Sequence, residues 1–201
     1  MSGEHYFSTD PSAPTQRREV SFGMDGRQWR LSSAGSVFSA DRLDPGTAVL
    51  LRETPSPSET GGTYLDLGCG FGAIACVLAT RAPRATVWAV DVNERALELT
   101  RVNARALGVA ERVRVTRPEA VPADVAFDGI WSNPPILVGK AVLHDLLLTW
   151  LPRLKPEGSA WLVVSRHLGS DPLQRWLQEQ GYACARHASR KGYRVLQVRP
   201  G

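Results

Sequence analysis

The sequence predicts an α/β fold: a doubly wound, mostly parallel sheet preceded by a β-hairpin. Three observations predict it. From residue 61 onward, short apolar runs rich in Val, Leu, Ile and Trp recur at regular intervals. Segments of helical periodicity separate them, the alternation that builds parallel sheets from βαβ units. Glycine-rich or polar turns follow the apolar runs, at the strand ends where ligands bind in such sheets.

Taken in order, residues 1–16 are polar, contain Pro11 and Pro14, and are expected to form a mobile or docked arm. Residues 18–22 and 28–32 alternate around Met24-Asp25-Gly26, which reads as a hairpin. Asp44-Pro45-Gly46-Thr47 reads as a helix start, with Asp44 as N-cap and Pro45 at N1, and a helix to about residue 53. Strands follow at 63–67, 86–90, 113–116, 127–131 and 159–165, with helices at 73–81, 94–107, 142–154 and 172–180. Two last strands, 182–187 and 193–199, flank Lys191-Gly192, so this pair is expected to be antiparallel. One domain is expected over 1–201, with 1–16 as arm, 17–60 as hairpin and helix extension, and 61–201 as core.

Hydrophobic residues make up 43% and charged residues 22% of 201, a globular balance. No stretch approaches the roughly 18 apolar residues of a membrane span. Residues 1–9 have neither an apolar core nor a basic lead, so a cytoplasmic location is expected. Cys69, Cys76 and Cys184 are odd in number and lack metal-ligand spacing, and His144, His167 and His187 form no spaced cluster, so no metal is expected. Net charge is +4, and the basic residues concentrate after residue 100, where 15 Lys and Arg face 8 Asp and Glu. That excess suits a polyanionic partner.

Two motifs carry chemistry. Asp66-Leu67-Gly68-Cys69-Gly70-Phe71-Gly72 follows the first core strand. Its glycines let the backbone approach a ligand, and the next helix aims its free N–H groups there. The run also satisfies the dinucleotide pattern, so NAD competes with S-adenosylmethionine (SAM) as ligand. Asp66 stands where an anion repels a pyrophosphate and attracts an ammonium. Asp91 ends the second strand, where its two oxygens can accept both ribose hydroxyls. Glu119 can accept from an adenine amino group. The cofactor set is therefore Asp66, Gly68, Cys69, Gly70, Gly72, Asp91, Val92, Glu119 and Asn133.

The second motif is Asn133-Pro134-Pro135-Ile136, after the fourth strand. An exocyclic amine is a poor nucleophile while its lone pair is delocalised into a ring. The Asn133 side-chain oxygen and the Pro134 carbonyl can accept its hydrogens and favour pyramidal nitrogen. The proline rings organise that turn in advance, and Ile136 can pack on a base face. Asn133, Pro134, Pro135 and Ile136 are the catalytic candidates. Lys140, just past the turn, is placed for a substrate phosphate.

These motifs resemble the small-domain methyltransferases, class I SAM enzymes that include bacterial ribosomal RNA guanine-N2 methyltransferases. The resemblance also rests on His5-Tyr6-Phe7-Ser8, Gly35-Ser36-Val37-Phe38-Ser39, Asp44-Pro45-Gly46-Thr47, Asp91-Val92-Asn93-Glu94-Arg95-Ala96 and Lys191-Gly192-Tyr193. It implies a seven-stranded, Rossmann-like SAM-binding sheet. It implies that Gly68, Gly70, Asp91 and Glu119 hold SAM, and that Phe38 and Ser39 lie over the site. Ile136 in place of an aromatic fits the guanine-N2 relatives, while Leu137 stands where relatives often carry Arg. The implied activity is methyl transfer to guanine N2 of ribosomal RNA. A protein glutamine, DNA adenine, a small molecule or a silent SAM-binding module are the alternatives. The implied partner is ribosomal RNA or a ribosomal subunit, with no membrane, and the chain acts as a monomer or homodimer.

Overall fold

A computed structural model describes residues 17–35, 37, 42–135 and 139–201. The expected arm, Phe38, Ser39, Ile136 and Leu137 lie outside these residues. The hairpin consists of β1 (Arg17–Met24) and β2 (Arg27–Ala34), with Met24 opposite Arg27. Its turn residues Asp25 and Gly26 have φ of 54° and 71°, the pair of positive angles that a two-residue hairpin turn demands. In α1 (Pro45–Glu53), Asp44 Oδ1 accepts from Thr47 N at 2.8 Å and Pro45 opens the first turn.

Seven strands form the main sheet: β3 (Gly62–Leu67), β4 (Ala85–Val90), β5 (Val113–Thr116), β6 (Phe127–Ser132), β7 (Leu154–Ser165), β8 (Ala183–Arg190) and β9 (Tyr193–Arg199). Their spatial order is β5-β4-β3-β6-β7-β9-β8. The pairings from β5 across to β7 are parallel, and β9 runs antiparallel to both β7 and β8. The chain builds outward from β3 to β5, then returns to place β6 on the other side of β3. That reversal leaves a crevice beyond the carboxyl ends of β3 and β6, the ligand position of doubly wound sheets.

The helices α2 (Ala73–Arg81), α3 (Glu94–Ala106), α4 (Lys140–Trp150) and α5 (Ser170–Glu179) cover the two faces. Adjacent residues of one strand point to different layers, as a period of two requires. Tyr64 and Trp131 join Leu50, Leu78 and Val87 on one face. Leu65 and Ile130 join Phe127, Leu147 and Leu162 on the other.

The structure moves several expected boundaries: β8 runs to Arg190 rather than 187 and α4 starts at Lys140 rather than 142, and three further shifts have a local cause. α4 ends at Trp150 rather than 154, because Pro152 has no amide hydrogen to continue it, and 151–153 tighten into a 3-10 turn. β7 begins at Leu154 rather than 159; its pairing with β6 jumps between Phe127 and Gly129 and absorbs the Lys155-Pro156 segment. α5 begins at Ser170, with Pro172 inside the first turn, where an amide hydrogen has no helical partner to lose.

Asn103 on α3 fastens the hairpin to the sheet. Its Oδ1 accepts from Ser32 N at 2.7 Å, and its Nδ2 donates to Ser32 O at 2.9 Å and Phe71 O at 2.7 Å. The residue is 1% exposed, and its bond to Phe71 O is fully buried while the pair to Ser32 is partly so. Among the described residues, no helix is long and apolar enough to cross a membrane, and no group of His, Cys, Asp and Glu could hold a metal ion.

Candidate active site

The glycine turn is pinned from three sides. Gly68 N and Cys69 N both donate to Val90 O, at 2.9 and 3.0 Å, which ties the end of β3 to the end of β4. Gly70 N donates to Asp91 Oδ2 at 2.9 Å, and Gly70 O accepts from Thr100 Oγ1 at 3.0 Å. Gly70 has φ of 54°, open to glycine at little cost. Gly72 is required by packing as well as by its φ of 82°: a Cβ there would sit 2.6 Å from Thr100 Cγ2. α2 starts directly after Gly72, which has no side chain to cap it, so its N-terminal dipole faces the turn and one first-turn amide, Ala75 N, is taken by Asp66 from beneath.

Asp91 is 8% exposed. Its Oδ1 accepts from Asn93 N and its Oδ2 from Gly70 N, both at 2.9 Å. α3 is capped instead by Asn93, whose Oδ1 accepts from Arg95 N and Ala96 N. Asp91 is thus spared the cap, and each of its oxygens keeps a lone pair for a ligand hydroxyl. Burial raises its pKa, opposed by the backbone donors of Asn93, Gly70 and Val92.

Asp66 is placed differently from the sequence expectation. It is fully buried, beneath the turn, with Oδ2 accepting from Ala75 N at 2.8 Å. Its Oδ1 has no hydrogen-bond partner. Burial pushes its pKa up to about 8, with the Ala75 donor lowering it and the Asp91 charge raising it further. Glu119 lies on a 3-10 turn after β5, exposed and paired with Arg117 Nε at 2.6 Å. Arg117 also holds Glu94 at 3.0 Å, and its hydrogen bond holds the Glu119 carboxyl below the usual range. Val92 is half-buried, and its carbonyl accepts from Arg117 at 3.4 Å. Lys140 is exposed at the first position of α4.

β6 delivers Asn133 to the same edge. Buried Ser132 donates its hydroxyl to Leu67 O at 2.7 Å, fastening the end of β6 beside the start of the glycine turn. Asn133 Nδ2 then donates to Asp44 Oδ1 at 2.6 Å and to Thr47 Oγ1 at 3.1 Å. Both amide hydrogens are committed, so Asn133 Oδ1 is left as the acceptor available to a ligand. Pro134 is buried and Pro135 half-buried behind it.

Gly68, Cys69, Gly70 and Asn133 share one cleft, together with Leu43, Asp44, Thr47, Phe71, Ala73 and Ile74. Asp66, Gly72, Asp91, Val92, Glu119, Pro134, Pro135 and Lys140 are not among the residues that line it. Leu43, Asp44, Thr47, Phe71, Ala73 and Ile74 stand outside the expected site set; in the sequence the Asp-Pro-Gly-Thr run reads as a helix start and as part of the family resemblance, not as site residues. The residues present fit SAM, a cation with a ribose. A buried carboxylate oxygen lacks a donor at Asp66, Asp91 has acceptor capacity at the end of β4, and the Gly70 backbone is open toward the cleft.

Comparison with known proteins agrees with this arrangement. The family model described as "Methyltransferase small domain" matches residues 28–197. The uncharacterized protein YbxB of Bacillus subtilis is 31% identical over 199 residues, 98% of each chain. Ribosomal RNA small subunit methyltransferase C of Hahella chejuensis is 37% identical over 153 residues, which cover 74% of this chain and 43% of that protein. The chain thus spans less than half the length of that relative. The structure of the T. thermophilus 16S rRNA N2 methyltransferase RsmC, in complex with AdoMet (SAM) and guanosine, superposes with a TM-score of 0.78 at 25% identity, over 95% of this chain and 52% of that one. With the glycine turn and the Asn-Pro-Pro turn meeting at one cleft, the chain belongs to the methyltransferase small domain family of SAM-dependent enzymes.

Proposed function

We propose that this protein transfers a methyl group from SAM to the exocyclic N2 amine of guanine in ribosomal RNA. The observation that carries this reading is the commitment of both Asn133 amide hydrogens to Asp44 and Thr47. A carboxamide free to flip would present a donor to the acceptor amine half the time. Here the oxygen is the group left for a ligand, as an amine with two hydrogens requires. The guanosine and AdoMet bound to the T. thermophilus relative support the same ligand pair, as do the relatives named as ribosomal RNA methyltransferases of either subunit.

In this reading Asp91 accepts the ribose hydroxyls, the turn from Gly68 to Gly70 lies along the ligand, and Asp66, protonated in the free protein, ionises beneath the cationic part when SAM binds. Bound SAM supplies a methyl group already activated as a sulfonium. Asn133 Oδ1 and the Pro134 carbonyl accept hydrogen bonds from the two amine hydrogens, which favours a pyramidal nitrogen with its lone pair toward the methyl group, and the methylated nitrogen then releases one proton to water. No strong base is needed, because alignment and acceptor placement do the work. Residues 17–60 and 61–201 act as one methyltransferase domain, the first supplying Asp44 and Thr47 and the second the remaining site residues. The proposed working unit is a monomer or homodimer, and the cytoplasm its place.

The test is mass-spectrometric nucleoside analysis of ribosomal RNA incubated with the purified protein and labelled SAM. Labelled N2-methylguanosine is the expected product. SAM binding with no labelled nucleoside would overturn the acceptor assignment.

A further inference from the structure

The carboxyl edge of the sheet is electrically divided. Beyond β4 and β5 stand Asp91, Glu94 and Glu119, against Arg95 and Arg117. Beyond β6, β7 and the start of β9 stand Lys140, Arg166, His167 and Lys191, all exposed. Among the described residues on that side, Asp44 is engaged by Thr47 and Asn133, and Asp171 by Arg194. No carboxylate pairs with Arg166 or Lys191 among the described residues.

The backbone at Lys191 is the second observation. Arg190 pairs with Tyr193, so Lys191-Gly192 is a two-residue hairpin turn. Its φ values are 49° and 81°, the same doubly positive geometry as Asp25-Gly26. At the first position of such a turn Asn, Asp and Gly are favoured. The first hairpin obeys that preference and the second does not. A lysine kept in the left-handed region, where local propensity disfavours it, points to a role for its side chain.

The turn is also fixed in place. Ser165 pairs with Tyr193, so the turn lies at the edge where β7 ends, and Arg166 N donates to Gly192 O at 2.9 Å. Tyr193 packs on α1: a Cβ built at Gly46 would lie 2.9 Å from its ring. Gly46 is two residues from Asp44, which holds Asn133. The basic turn therefore abuts the element that carries the acceptor site.

We propose that Lys191 and Arg166 form a phosphate-binding rim that seats the RNA backbone beside the Asn133 cleft. The proposal rests on RNA being the substrate and names the surface that recognises it. The division of charge suits the two ligands: the acidic half faces a cation, the basic half a polyanion. Such contacts position RNA without reading its sequence.

The test measures binding of a labelled mixed-sequence RNA oligonucleotide against salt for wild type, Lys191→Asn, Arg166→Gln and the double variant. Lys191→Asn installs the residue the turn prefers, so its Tm is expected to equal or exceed that of wild type. Its RNA affinity is expected to fall severalfold, and the slope of log affinity on log salt by about 0.8, with about twice that loss in the double variant. SAM affinity and methylation of free guanosine are expected to stay at wild-type levels. Wild-type affinity and slope in the double variant would overturn the rim. A wild type that binds RNA through these residues yet labels no nucleoside would overturn the proposed substrate and leave the rim standing.

Discussion

Asp44 and Asn133 lie 89 positions apart and share a hydrogen bond of 2.6 Å. The same Asp44 oxygen caps α1 through Thr47 N, so one carboxylate starts a helix and orients the carboxamide at the end of β6. Thr47, held by that cap, takes the second amide hydrogen. The helix start is therefore part of the acceptor site.

Asp44→Ala should lower kcat by about 10²-fold through loss of acceptor orientation, while SAM affinity stays within about twofold. Loss of the cap should cost about 1 kcal/mol of stability, so a urea melt must show the variant folded at the assay temperature. Asp44→Asn keeps an accepting oxygen and should recover much of the rate. Equal loss in both variants would assign the effect to charge rather than to orientation.

Asn103 joins three segments distant in sequence: α3, β2 and the carbonyl of Phe71. Asn103→Ala leaves Ser32 N, Ser32 O and Phe71 O without this partner in a buried setting. A loss of about 2–4 kcal/mol in urea unfolding is expected. Hydrogen exchange should quicken in β1 and β2 more than in β3 or β6. Unchanged exchange in the hairpin would show that its apolar contacts with Phe71, Ala96 and Leu99 suffice.

The sheet and its helices were legible because their signals are repetitive. Apolar runs, glycine at helix ends and Pro45 after Asp44 each act within a few residues of themselves. The shifted boundaries at Trp150 and Leu154 arise where Pro152 and the irregular β6–β7 pairing override periodicity. Asp44, Thr47 and Asn103 were not legible as site or clamp residues, because the partners that give them those roles lie 32 to 89 positions away and no spacing announces them. Asp66 was legible as an acidic residue at a ligand turn, but not its depth: β3 is buried on both faces from Tyr64 to Leu67, so alternation cannot tell which side a residue takes.

Asp91 serves two backbone donors and, in the proposed site, the ribose. Asp91→Ala should weaken SAM binding by about 1.5–3 kcal/mol, the scale of hydrogen bonds to a charged group. It also strips Gly70 N and Asn93 N of their acceptor, so stability should fall alongside. Asp91→Asn retains accepting capacity at one oxygen and should restore more stability than affinity. Calorimetry with SAM checks the first effect and thermal melting the second; unchanged affinity in Asp91→Ala would remove Asp91 from the ribose.

Asp66 makes stability depend on pH in an uncommon direction. Its native pKa is pushed up to about 8 from an ordinary value of 3.8, chiefly by burial. Between those values the native state keeps a proton that the unfolded chain has released. Stability is therefore highest below pH 4 as far as this group is concerned, and falls as pH rises toward 8, by at most about 6 kcal/mol. Asp66→Asn should remove that slope, matching wild type near pH 4 to 5 and exceeding it at pH 8 to 9. SAM binding should act oppositely: a cation above the carboxylate favours its ionised form, so affinity should rise with pH up to about 8 and level off. Proton release on SAM binding, read in calorimetry by comparing buffers of different ionisation enthalpy, should be largest near pH 7 and absent in Asp66→Asn. Equal release in wild type and variant would place the ionising group elsewhere.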